Sequence, residues 1–178
     1  FVAQQRVDDD DMEQLYNVFS NIYTSQALSV IGINASGKTT ILKALEKELQ
    51  AEYYVVSLDF QMLGNKSFED EVLFSKSFAK LFVKKMRMCQ PVSPAVQKVL
   101  EELLQEANQS ELYLLLDLFL KLSELCIISD KPVVLMIDEA DHASNNQVFL
   151  DFLAQLRGYY LNRDNEPTFQ SVILAGVY

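Results

Sequence analysis

Eight consecutive residues, Gly32-Ile33-Asn34-Ala35-Ser36-Gly37-Lys38-Thr39, constrain this chain most, because they satisfy the pattern G-x-x-x-x-G-K-[ST] between a strand-like and a helix-like run. Ahead of them, Ala27-Leu28-Ser29-Val30-Ile31 reads as a short buried strand. Behind them, Ile41, Leu42, Leu45 and Leu49 recur at helical spacing with no glycine or proline between. Backbone N–H groups ring an anion closely only where side chains are small or absent, as at Gly32, Ala35, Ser36 and Gly37. A helix opening near Lys38 turns its positive dipole end to the same place. The segment therefore predicts a triphosphate site built by Gly32, Asn34, Ala35, Ser36, Gly37, Lys38, Thr39 and Thr40. In it Lys38 reaches the β- and γ-phosphates and the Thr39 hydroxyl holds Mg²⁺. Asn34 either touches phosphate or shapes the loop.

A second segment has the complementary chemistry. Val133-Val134-Leu135-Met136-Ile137-Asp138-Glu139 is a continuous apolar run, set off by Lys131-Pro132, that ends in two acids. Such a run fits a central parallel strand buried on both faces. Asp138 at its C-terminal end is expected to accept a hydrogen bond from a Mg²⁺-bound water or from Thr39, and Glu139 to polarise the water attacking the γ-phosphate. The metal is thus assigned to Thr39 and Asp138, and catalysis to Glu139 and Lys38. Taken alone, the run also fits a core strand leading into a solvated acidic turn.

With 178 residues and 49% hydrophobic content, the chain fills the core of one domain. The net charge of −10 argues against a bare electrostatic grip on nucleic acid. Lys76, Lys80, Lys84, Lys85 and Arg87 read as one solvated helix face, and Asp8-Asp9-Asp10-Asp11 as a solvated linker or helix start. Cys89 and Cys126 lack metal-site spacing and read as reduced thiols. Nothing has the form of a signal peptide, so a cytoplasmic location is expected. Leu112 to Leu125, interrupted by Asp117, Lys121 and Glu124, is too short to span a bilayer and reads as a buried or bundled helix.

Strand and helix patterns alternate: β near 27–33, a helix near 38–50, β near 53–58, a long helical stretch over about 67–129, β at 133–138, a helix through Val148, Phe149, Phe152, Leu153, Leu156 and Tyr160, and β at 171–176. This alternation predicts a parallel sheet covered by helices. Pro91 and Pro94 are expected to divide the long helical stretch.

These motifs resemble the ASCE division of P-loop NTPases, in which a catalytic Glu follows the Walker B Asp. Gly37-Lys38-Thr39-Thr40-Ile41-Leu42-Lys43-Ala44-Leu45, Tyr54-Val55-Val56-Ser57-Leu58-Asp59-Phe60-Gln61 and Phe152-Leu153-Ala154-Gln155-Leu156-Arg157 are similar to bacterial AAA-like ATPases over nearly the whole chain. The resemblance implies a three-layer α/β/α P-loop NTPase fold. Its parallel sheet has the order 2-3-4-1-5, here 2-3-4-1 with the fifth strand missing from a domain that runs 1–178 and is truncated at its C-terminus. The region of about 67–129 is then a helical insertion, and an arginine finger and helical lid lie beyond residue 178. ATP and ADP are the implied ligands, Mg²⁺ the implied cofactor, and a homo-oligomer or another protein the implied partner. ATP hydrolysis is implied for the intact protein.

Other readings differ at particular residues. Asp138-Glu139-Ala140-Asp141 spells the signature of DEAD-box helicases, but the Ser-Ala-Thr motif expected after the next strand is replaced by Leu174-Ala175-Gly176-Val177. Asn65-Lys66-Ser67-Phe68 lacks the Asp of a guanine-reading motif and lies too early. A small-molecule kinase fits less well, since paired Asp138 and Glu139 favour water as nucleophile. Two roles remain open, hydrolysis that drives mechanical work and a nucleotide-sensing switch with little turnover. His142 reads as a loop-surface residue more than a phosphate contact. Asp59 is placed equally by capping and by function, and Arg157 and Arg163 read as solvated surface.

Overall fold

The computed structural model describes residues 28–31, 38–89 and 91–176. Asp8–Asp11, Val177 and Tyr178 lie outside the described residues. In chain order the elements are β1 (Leu28–Ile31), α1 (Lys38–Leu49), β2 (Tyr54–Asp59), α2 (Glu71–Cys89), α3 (Pro94–Gln109), α4 (Leu115–Ile128), β3 (Val133–Asp138), α5 (Gln147–Leu161) and β4 (Ser171–Gly176). Short 3-10 turns at Phe60–Met62, Asn65–Phe68 and Ala140–Ala143 extend the strand ends.

The four strands form one parallel sheet in the order β1-β4-β3-β2. Alternation along the strands divides the core in two, since successive side chains point to opposite faces. Val55, Val134, Met136, Ile173 and Ala175 face α1, which buries Ile41, Leu42, Leu45 and Leu49 against them. Tyr54, Val56, Leu58, Val133, Leu135 and Ile137 face the other way, into a larger core shared with α2, α3, α4 and α5. The apolar run at 133–137 is buried throughout, as a strand covered on both faces requires.

Phenylalanines hold the larger core together. Phe78 lies 4.9 Å from Phe152 and Phe60 lies 5.5 Å from Phe149, ring centroid to centroid, tying α2 and the end of β2 to α5. The long helical stretch is broken twice. The first break falls at the prolines, where Ser93 caps α3 by accepting from the Val96 N–H at 3.3 Å and Pro94 occupies the first turn. The second falls between Gln109 and Leu115, so Leu112 and Leu114 precede the helix rather than belong to it. Asp117 accepts from the Leu114 N–H at 2.9 Å and Glu71 of α2 from the Leu115 N–H at 2.8 Å, satisfying two otherwise orphaned donors.

Cys126 is a free thiol, and burial pushes it up to about 12. No helix among the described residues is long and apolar enough to cross a membrane.

Candidate functional site

The ends of two distant segments meet at the C-terminal edge of the sheet. Thr39, in the first turn of α1, donates its hydroxyl to Asp138 Oδ2 at 3.2 Å, across 99 positions of sequence. Strand parity sets this up. Asp138 follows Val134 and Met136 at even spacing and so faces the α1 side of the sheet. The other carboxylate oxygen, Oδ1, accepts from the Glu139 N–H at 3.0 Å, which fixes the carboxylate from both ends.

Glu139 is the single residue other than glycine with positive φ among the described residues, at φ 56° and ψ 39°. This left-handed conformation costs an L-residue about 1–2 kcal/mol. Its carbonyl accepts from the His142 N–H at 3.1 Å, closing the turn that follows β3. The side chain is half-buried and makes no hydrogen bond or ion pair with the described residues. A strained backbone at a chain reversal thus carries a carboxylate that has no partner among the described residues.

Asp59 pairs in register with Asp138 on the neighbouring strand and lies on the same face as Ser57 and Val55. Its Oδ1 accepts from the Gln61 N–H at 2.9 Å and caps the following turn. Capping is therefore observed, and Asp59 also lines a cavity of about 430 Å³ together with Thr39 and Asp138. Lys43 and Glu46 of α1, Ser57 of β2 and Lys85 of α2 complete its polar wall. The spacing of Thr39, Lys43 and Glu46 puts them on one face of α1. None of Ser57, Lys43, Glu46 and Lys85 was assigned to a site from the sequence. Only the parity of β2 and the helical phase of α1 and α2 carried the signal.

Of the other residues expected at the site, Gly32, Asn34, Ala35, Ser36 and Gly37 lie outside the described residues. Lys38 is the first residue of α1, and Thr40 is half-buried in the same turn. His142 is exposed, its ring 6.4 Å from that of Phe68, on the surface of the turn. Arg163 is used locally, donating to the Tyr160 carbonyl at 3.1 Å and lying 4.3 Å over that ring, while Arg157 is exposed.

The end of β4 closes against the same region. A Cβ on Gly176 would come within 2.8 Å of Asp141 Oδ1 and 2.9 Å of its backbone N, so only glycine lets β4 approach this turn. The buried Oδ1 of Asp141 has no hydrogen-bond partner among the described residues.

The hydroxyl of Thr39 and the carboxylate of Asp138 are hard oxygen donors beside an open cavity. Mg²⁺ takes such ligands, one or two from protein and the rest from phosphate and water. No group of three or more His, Cys, Asp or Glu suited to a metal occurs among the described residues.

Compared with known families, residues 15–178 match the family model described as an AAA-like domain. No curated protein matches the chain.

Proposed function

Because the chain belongs to the AAA-like domain family, which points to a nucleotide-binding, ATPase-type role, we propose that it binds ATP and, with Mg²⁺, hydrolyses the β–γ bond. The observation that carries this reading is the hydrogen bond from Thr39 to Asp138, which joins the end of the glycine-rich segment to the end of the acidic strand. In the proposed assignment the two are the Walker A and Walker B motifs of a P-loop NTPase fold. The parallel order β2-β3-β4-β1, with α1 on one face and α2, α3, α4 and α5 opposite, supports that fold.

Thr39 and Asp138 would hold Mg²⁺, which neutralises phosphate charge and fixes the terminal phosphates for in-line attack. The chain's own groups do the rest. The small-residue loop and the N-terminus of α1 bind the phosphates through backbone N–H groups, and Lys38 adds a positive charge there. Glu139, presented by its left-handed turn, accepts a hydrogen bond from the attacking water. It takes the proton as the water oxygen bonds to the γ-phosphorus and the bond to the β–γ bridging oxygen breaks, releasing ADP and inorganic phosphate. The Glu139 N–H holds Asp138 in place, so base and metal ligand are positioned by one turn.

Steady-state ATP turnover and ATP binding, compared between the intact protein and Glu139→Gln, test this. The expected result is a fall in turnover of about a hundredfold or more, with ATP affinity retained. Equal turnover in both proteins would remove Glu139 from the mechanism. Binding without turnover in either would leave a nucleotide-sensing role instead.

A further inference from the structure

Lys85 stands apart from the other basic residues of α2. Lys76, Lys80, Lys84 and Arg87 recur at i, i+4, i+8 and i+11 and form one stripe, along which Lys80, Lys84 and Arg87 are exposed. Lys85 falls on the opposite side of the helix. Counting from Phe74, it continues at i+11 a stripe whose earlier members, Phe74, Phe78 and Leu81, are all buried. The sequence expectation of a single solvated basic face is therefore corrected at this residue. Near its C-terminal end α2 places a cation at a core-facing position.

Such a placement is unfavourable unless an anion offsets the lost hydration or the head group reaches an opening. Lys85 is half-buried and makes no ion pair or hydrogen bond with the described residues. Its opening is the cavity that Thr39 and Asp138 also line. Three carboxylates share that wall, and none of them pairs with it. Asp138 is held by Thr39 and the Glu139 N–H, Asp59 caps Gln61, and Glu46 stands farther along α1. Lys43, on the turn of α1 after Thr39, brings a second cation to the same space. Two lysines lining one cavity with a hydroxyl and a carboxylate suited to Mg²⁺ suit an anion larger than a single carboxylate.

We infer that Lys85 contacts the terminal phosphate of the bound nucleoside triphosphate, supplied by the same chain and not by a neighbouring subunit. The inference rests on the nucleotide reading above and adds to it a residue on α2. A contact confined to the terminal phosphate distinguishes triphosphate from diphosphate, because only the former presents charge to this lysine. It also links the state of the nucleotide to the end of α2, since loss of that phosphate leaves Lys85 without its partner.

Isothermal titration of the full chain with Mg²⁺ and either a non-hydrolysable ATP analogue or ADP, for wild type, Lys85→Met and Lys84→Met, tests it. Lys85→Met is expected to weaken the analogue by about tenfold or more and to leave ADP unchanged. Lys84→Met is expected to change neither, and Lys85→Arg to keep most of the analogue affinity. If Lys85→Met melts well below wild type without nucleotide, Lys85→Gln is read by the same criteria. Equal weakening of analogue and ADP, or no change in either, overturns the inference while leaving the nucleotide reading intact. Wild type that binds neither nucleotide overturns that reading, and the role of Lys85 with it.

Discussion

The carboxylate expected to activate water sits on the single non-glycine residue of positive φ among the described residues, a conformation that costs any side chain with a Cβ. Glu139→Gly relieves the left-handed strain, so it is expected to melt no lower than wild type and to gain up to about 1 kcal/mol, while its turnover is lost. Glu139→Gln keeps the strain and is expected to melt with wild type; a stability gain in both variants, or in neither, would show that strain is not the cause. Gly176→Ala acts in the opposite sense. Its methyl group would meet the Asp141 backbone N at 2.9 Å, and a loss of about 2 kcal/mol or more is expected in a denaturant titration. A third residue-scale prediction concerns acid. The Tyr54 hydroxyl donates to Asp130 at 3.0 Å and holds its carboxyl below the usual carboxylate range. A lowered carboxyl contributes stability that is complete above its unfolded value of about 3.9 and is lost as pH falls through the folded value. Tyr54→Phe is therefore expected to be less stable than wild type near neutrality, with the gap closing below that pH. A gap independent of pH would assign the loss to packing alone. Neither positive φ at Glu139 nor the closeness of Asp141 to Gly176 was legible in the sequence, because Glu gives no signal for that conformation and both arise from how β3 and β4 end side by side.

At the scale of elements, periodicity disclosed most of the helices and strands, and single phases disclosed what they do. The runs at 54–59, 133–138 and 171–176 are strands because alternation and apolar continuity suit a sheet covered on two faces. The break after Gln109 was hidden, since Leu112-Tyr113-Leu114-Leu115-Leu116 is as apolar as the helix that follows, and the stop is made by hydrogen bonds from Asp117 and Glu71. Reading the basic residues of α2 as one face was wrong for Lys85, although the i+4, i+7 and i+11 spacing from Phe74 was available. Charge pairing between α3 and α4 gives a prediction of its own. Lys121 meets Glu102, Glu106 and Glu124 at 3.5, 3.1 and 3.0 Å, with 18% of its side chain exposed. Burial disfavours its charge, but hydrogen bonds to Glu124 and Glu106 outweigh that and hold the ammonium well above its usual value. Lys121→Met is expected to cost about 1 kcal/mol near neutral pH, with the loss reduced in high salt. A raised lysine contributes fully below its unfolded value of about 10.4 and fades only as pH rises beyond it, so the cost should not change between pH 7 and 9.

At the scale of the whole molecule, the described elements are asymmetric about the sheet. Among them, one face carries α1, and the other carries α2, α3, α4 and α5 around a cluster of phenylalanines. The sequence made the two-sided sheet legible through its alternation of elements, but it did not reveal how unevenly the described elements cover the two faces, which follows from the three helices between β2 and β3 packing together. Thr39 and Asp138, the two residues assigned to the metal, lie on the α1 side. Leu45→Ala, at a fully buried position of α1, is expected to cost about 3 kcal/mol and to weaken nucleotide binding, whereas a similar deletion at Phe82 should cost stability and leave affinity nearly unchanged. This asymmetry also sets where a bound nucleotide would register in time. Among the described elements α1 packs into the smaller core cluster, so its amide hydrogens should exchange with solvent well before those of α4 and α5, and occupancy should slow the first group while barely touching the second.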